Sequence, residues 1–292
     1  MIGIQYVILD LEWNSVYSKK HSKFINEIIE IGAVKLDESL RGIDSYSSLI
    51  ATEIGKNLQK KVIELTHLTN EDISTGKSFC SVMSDFKKWI GKSDTVVMSW
   101  GKCDIYALME NFSYFSGSHL IPFLKSYVDL QEYCGEILNQ PKNMQLGLQP
   151  AAEKLSVVTE QLDMHRGLSD AVISAQCLQK VYLKQKFEKH IMTCDEQFYD
   201  RLLFKPYVIK NFKNPAFDTE KLLTDCPKCG QRLKRISKWS FKNSFYRCVM
   251  ECRNCQRRFT TEVRFKQYYD YVDFKKKVRE IRESNTENNK AD

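Results

Sequence analysis

With 292 residues the chain is long enough to bury one full core and leave room for a second, smaller one. Its 42% hydrophobic and 28% charged residues are those of a soluble globular protein, and no run reaches the roughly 18 apolar residues of a membrane span, which excludes an integral membrane helix. The net charge of +7 is unevenly placed: residues 1–200 hold 21 basic and 26 acidic side chains, or −5, and residues 201–292 hold 23 and 11, or +12. That asymmetry points to a polyanionic partner for the basic part.

The apolar start, Ile2–Leu9, lacks a basic leader and a small-residue cleavage site, so it reads as a strand rather than a signal peptide, and the cytoplasm is the expected compartment. Ile4–Trp13, Glu27–Leu36 and Ser45–Ile50 are rich in β-formers and predict a three-strand meander. Helical patterns at Lys60–Ile63 and Val82–Ile90 lead to a buried strand at Thr95–Trp100, then a helix at Ile105–Phe112. A short fifth strand at Tyr127–Leu130 precedes helices at Gln131–Leu138, Gln149–Leu155 and Leu168–Tyr182. Three strands followed by α/β alternation predict an α/β domain over residues 1–185, with a mixed five-stranded sheet flanked by helices.

Pro206 and Pro215 interrupt the charged stretch that follows, so residues 186–222 are expected to be a linker. Residues 223–266 form a small separate module. The last segment, 267–292, reads as a basic helix, Tyr268–Arg282, and a polar, disordered tail, Glu283–Asp292.

Asp10 and Glu12 are two apart on the first strand, so the period of two aims both at one face. Among Val7, Ile8, Leu9 and Leu11 their repulsion is costly unless a divalent cation offsets it, and oxygen donors suit Mg²⁺ or Mn²⁺. Asp104 follows the end of the fourth strand, where ligands gather in α/β sheets, although an acid there also caps a helix. His165 stands in a loop five residues before Asp170, which opens a long amphipathic helix. An imidazole placed so can remove a proton at neutral pH.

Asp10-Leu11-Glu12, Trp100-Gly101-Lys102-Cys103-Asp104 and His165-Arg166-Gly167-Leu168-Ser169-Asp170 occur in the order and separations of three exonuclease motifs. Glu27–Ala33, Glu64–Thr69 and Gly147–Ala152 add to the match. Residues 4–183 thus resemble the DEDDh branch of the RNase T and DNA polymerase III proofreading-subunit superfamily, particularly its histone-mRNA exonuclease-like and sporulation-inhibitor-like members. Trp13-Asn14-Ser15 replaces the usual Thr-Thr-Gly, and His67 stands where glycine is usual.

The resemblance implies an RNase H-like fold and two Mg²⁺ or Mn²⁺ ions held by Asp10, Glu12, Asp104 and Asp170, with Asp10 bridging both. It further implies 3′→5′ hydrolysis at single-stranded 3′ ends, RNA favoured over DNA, with His165 as general base. The alternative it leaves open is a regulatory or adaptor protein that uses the fold to bind a protein or nucleic-acid partner.

Cys226-Pro227-Lys228-Cys229 and Cys252-Arg253-Asn254-Cys255 have the spacing of a two-knuckle, tetrahedral zinc site. A zinc-ribbon-like module is expected, since so short a segment buries little apolar surface without a staple. Cys248 is a fifth thiol that could replace Cys252. Lys234, Arg235, Lys238, Trp239, Lys242, Arg257 and Arg258 surround the knuckles, a mixture of cations and an aromatic that suits single-stranded nucleic acid.

Overall fold

The computed structural model describes residues 4–141, 144–159 and 165–281. The chain divides into two compact units, Met1–Leu202 and Leu203–Asp292. No described helix is long and apolar enough to cross a membrane.

The first unit begins with a long hairpin, β1 (Gln5–Ser18) and β2 (Lys23–Leu36), extended by β3 (Gly42–Leu49). Short helices α1 (Lys60–Thr66) and α2 (Asn70–Ser74) follow, the second opened by a reciprocal capping box between Thr69 and Asp72. Helix α3 (Phe79–Ile90) then leads to β4 (Thr95–Ser99) and α4 (Cys103–Ser116), and β5 (Ser126–Asp129) leads to α5 (Leu130–Ile137). After α6 (Leu148–Lys154) and α7 (Gly167–Val181) come α8 (Lys184–Phe187), β6 (Met192–Thr193) and α9 (Glu196–Leu203).

The sheet order is β3-β2-β1-β4-β5-β6. β2 is antiparallel to both β1 and β3, β4 and β5 run parallel to β1, and β6 returns antiparallel to β5. Alternate residues of β1 enter two different cores. Val7, Leu9 and Leu11 pack with α3 and α4, whereas Tyr6 and Ile8 pack with α5 and α7.

Two expectations change here. The sheet has six strands, because Met192–Thr193 adds an edge to β5. Much of the expected linker is folded: Phe187 is buried in one core, and Phe198 and Tyr199 in the other. A two-residue strand and a four-residue helix are too short to give a periodic signal.

The second unit contains β7 (Tyr207–Val208), β8 (Lys234–Arg235), β9 (Ser240–Lys242), β10 (Phe245–Glu251), β11 (Arg258–Gln267) and β12 (Val272–Glu280). Its sheet runs β12-β11-β10-β8, with β7 paired to β11 and β9 to β10. Where a basic helix is expected, the chain forms strand β12, in antiparallel register with β11 from Gln267↔Val272 to Phe259↔Glu280. Pairing with the preceding strand across a short turn outweighs the local preference of a lysine-rich segment. The tail Glu283–Asp292 lies outside the described residues.

Candidate active site

Asp10 and Glu12 project from β1 on the face opposite Leu9 and Leu11, which are buried. Both acids are half-buried. Asp104, 4% exposed, lies in the first turn of α4, and its Oδ1 accepts the backbone amide of Leu11 at 3.1 Å. This bond ties the start of α4 to β1 between the two strand acids. Asp170, 8% exposed, lies in the first turn of α7, and its buried Oδ1 has no hydrogen-bond partner among the described residues.

Helix α7 reaches the strands because Gly32 on β2 has no side chain. A Cβ there would sit 1.9 Å from Leu168 N and 2.0 Å from Gly167 C. A Cβ on Gly167 would in turn fall 2.9 Å from the carbonyl oxygen of Asp10. His165 precedes this contact, exposed and with φ +60° in the left-handed region. Ligand atoms of Glu12, His165 and Asp170 all lie within 4.8 Å of one another.

The acids resist ionisation together. Burial pushes Asp10 well above the usual carboxylate range, and Asp104, Asp170, Glu12 and Glu30 add repulsion. Glu12 is raised to about 8, first by burial and then by Asp170, Glu30 and Asp104, with partial relief from Arg166. Burial also raises Asp104 to about 7, against hydrogen bonds from the Leu11 amide, its own amide and Ser99. Asp170 is raised by burial against the attraction of His165. Four crowded oxygen donors, one with an orphaned oxygen, fit a divalent cation of the Mg²⁺ or Mn²⁺ kind.

Beside them Glu30, 1% exposed, lies opposite Glu12 in the β1–β2 register. It accepts Arg166 Nη2 at 2.8 Å and Nε at 3.0 Å, and also the Gly167 amide at 3.4 Å. The sequence does not mark Glu30 and Arg166 as partners. The usable signal is a carboxylate within the apolar run Ile28–Val34, whose desolvation demands a cation or several amides.

In the second unit the sulfurs of Cys226, Cys229, Cys252 and Cys255 lie within 4.8 Å of one another. Cys226–Cys255 and Cys229–Cys252 are 3.5 Å apart and Cys229–Cys255 is 3.8 Å. Sulfurs of a tetrahedral site with roughly 2.3 Å bonds stand about 3.8 Å apart, whereas a disulfide bond is about 2.05 Å long. Cys248, buried on β10, stays outside the four.

Of the expected nucleic-acid contacts, Lys234, Arg235, Lys238 and Lys242 are exposed. Arg257 and Arg258 are paired with Glu280 and Glu251 at 2.5 and 3.0 Å. Trp239 is half-buried against both hydrophobic clusters of the unit, one built on Leu233, Met250 and Phe259 and the other on Ile209, Val263 and Phe265.

The sequence model of the RNase T exonuclease family matches residues 7–178. No curated protein sequence matches significantly. Among solved structures, the chain is similar to a 3′-exonuclease that recognises the 3′ end of the histone mRNA stem-loop (21% identity, TM-score 0.54, covering 66% of this chain and 91% of that one). It is also similar to the rAMP-bound nuclease domain of a DEDDh family member (22%, 0.52, 60% and 90%) and to cell-death related nuclease 4 (16%, 0.52, 70% and 73%). The family match spans more than half of the chain and includes Asp10, Glu12, Asp104, His165 and Asp170; the chain belongs to the RNase T exonuclease family.

Proposed function

We propose that the chain removes nucleotides from single-stranded 3′ ends, RNA in preference to DNA, in a reaction that depends on divalent metal. The observation that carries this reading is the meeting of Glu12, Asp170 and His165 ligand atoms within 4.8 Å, beside Asp10 and Asp104. The preference for RNA rests on its similarity to the histone mRNA and rAMP-bound structures.

Asp10, Glu12, Asp104 and Asp170 would hold two Mg²⁺ or Mn²⁺ ions, which when bound supply an acidified water and a sink for charge on the phosphate. His165, exposed beside Glu12 and Asp170, takes the proton of the attacking water at its imidazole. Arg166, held by Glu30, fixes the backbone next to His165. In the second unit the four cysteines would hold one structural Zn²⁺, and Lys234, Arg235, Lys238 and Lys242 would neutralise phosphates of the strand.

Incubation with 5′-end-labelled RNA and DNA in Mg²⁺ or Mn²⁺ tests the reading. Stepwise, EDTA-sensitive shortening from the 3′ end is expected, faster on RNA. His165→Ala should abolish most turnover yet still bind metal, and Asp10→Ala should lose both. Absence of shortening on either polymer would leave an adaptor role as the better account.

A further inference from the structure

β4 pairs with β1 only through Gln5–Ile8, so the edge of β1 beyond Ile8 carries no strand among the described residues. This edge, bonded to Asp104 at the Leu11 amide and to Gln59 at the Ser15 carbonyl, starts at the carboxylates and runs toward the hairpin end. There it meets a cavity of about 590 Å³ whose lining includes Tyr17, Lys19, Lys20, Phe24, Lys56 and Tyr114. No carboxylate lines it, although residues 1–200 carry 21 basic against 26 acidic side chains.

The site is built rather than incidental. Glu27, 1% exposed, accepts the amides of Glu53, Ile54 and Gly55 at 2.5, 2.6 and 2.9 Å, which fixes the segment carrying Lys56. A Cβ on Gly55 would come within 2.6 Å of Val16 Cγ1, so that segment lies directly against β1. Lys20 Nζ stands 4.7 Å over the Tyr114 ring and donates to the Tyr114 carbonyl at 3.2 Å. Lys19 and Lys56 are exposed, and neither has a carboxylate partner among the described residues. Tyr17 and Phe24 are 54% and 66% exposed and meet edge to face, with ring centroids 5.5 Å apart.

Cations beside exposed rings, without competing acids, are the chemistry that recognises a single strand. Val16 lies four positions along β1 from Glu12, about 13 Å at the usual strand rise. A strand whose 3′ end lies at the acids therefore reaches this cavity within a few nucleotides. We propose that the cavity is an upstream subsite for single-stranded nucleic acid, with Lys19 and Lys56 on phosphates and Tyr17 and Phe24 against bases. The proposal rests on the exonuclease reading above and adds a reason for the enzyme to prefer long strands to short ones.

The test compares a trinucleotide with a dodecamer of RNA on the full chain in Mn²⁺. The wild type should favour the dodecamer in kcat/KM. In Lys19→Glu/Lys56→Glu that preference should fall on the order of tenfold, and the salt dependence of dodecamer binding should weaken by about 1.4 logarithmic units per decade, the share of two phosphates on a single strand. Lys19→Arg/Lys56→Arg should keep both. An unchanged preference in the charge-reversed variant overturns the subsite. If the wild type cleaves neither oligonucleotide, the exonuclease reading fails separately. Fluorescence anisotropy of the labelled dodecamer then judges the cavity, and equal affinity of wild type and charge-reversed variant overturns it.

Discussion

Arg166, next in the chain to His165, grips Glu30 through the Nε–Nη2 edge of its guanidinium, Nη2 at 2.8 Å and Nε at 3.0 Å, and Glu30 lies directly across the β1–β2 hairpin from Glu12. Glu30 is nearly inaccessible, whereas Arg166 remains about one-third exposed. Removal of Arg166 therefore strands a buried carboxylate beside other acids. Arg166→Ala should cost on the order of 1–3 kcal/mol, less than a fully buried pair because water reaches one partner. Thermal melting should show the loss in Arg166→Ala and a smaller one in Glu30→Gln/Arg166→Ala. An unshifted melting temperature in the single variant would contradict this.

Gly32→Ala should be disproportionately damaging for the addition of one methyl. Its Cβ would overlap the backbone at Gly167 and Leu168, which no side-chain rotation can relieve. The start of α7 must move away from β1 and take Asp170 with it. A loss of at least about 1–3 kcal/mol is expected, together with weaker binding of Mn²⁺ in calorimetry. Wild-type metal affinity in a folded Gly32→Ala protein would show that this contact does not set the site.

The raised acids give the metal-free protein a definite pH dependence. When the folded-state pKa of an acid is raised, the folded chain holds the proton more tightly than the unfolded chain. The penalty is absent below the ordinary carboxylate range, grows as pH rises, and is complete above the folded value. With Glu12 at about 8 and Asp104 at about 7, the penalty grows through neutral pH. The melting temperature of the EDTA-treated protein should accordingly fall between about pH 5 and pH 8.5. Mn²⁺ should raise it more at the alkaline end, since bound metal displaces the protons. A metal-induced shift that does not increase with pH would argue against these acids as the ligands.

Removal of the Zn²⁺ proposed for the four cysteines should unfold the second unit selectively. Its core is small, and four thiolates crowded within 4.8 Å repel unless a cation holds them. Cys229→Ser, or a strong chelator, should abolish the protection of β10 and β11 amides from hydrogen exchange, whereas β1 and β2 stay protected. One zinc per chain is the expected content by atomic absorption. Retained protection at full chelation would indicate that the unit folds without metal.

Strands with clear β-former runs were legible in the sequence, because Val7–Leu11, Ile28–Val34 and Thr95–Ser99 all lie in the sheet. Of the residues singled out by their joint spacing, Glu12, His165 and Asp170 meet within 4.8 Å, and Asp104 bonds to the strand between Asp10 and Glu12. The pairing of β12 with β11 was not legible, since lysines in series look locally like a helix and only the partner strand shows otherwise. Glu30 and Arg166 are 136 residues apart, and nothing in either neighbourhood announces the other. His67, in place of the usual glycine, ends α1 at φ +58°, a left-handed conformation that glycine adopts at no cost.

The bond from the Leu11 amide to Asp104 also makes one backbone hydrogen a reporter of chemistry. That hydrogen sits between the two acids of β1 and is held by an oxygen of a third, so its exchange with solvent requires α4 and β1 to part. Slow exchange at this single peptide group would thus record, without substrate, whether Asp104 stays docked between Asp10 and Glu12.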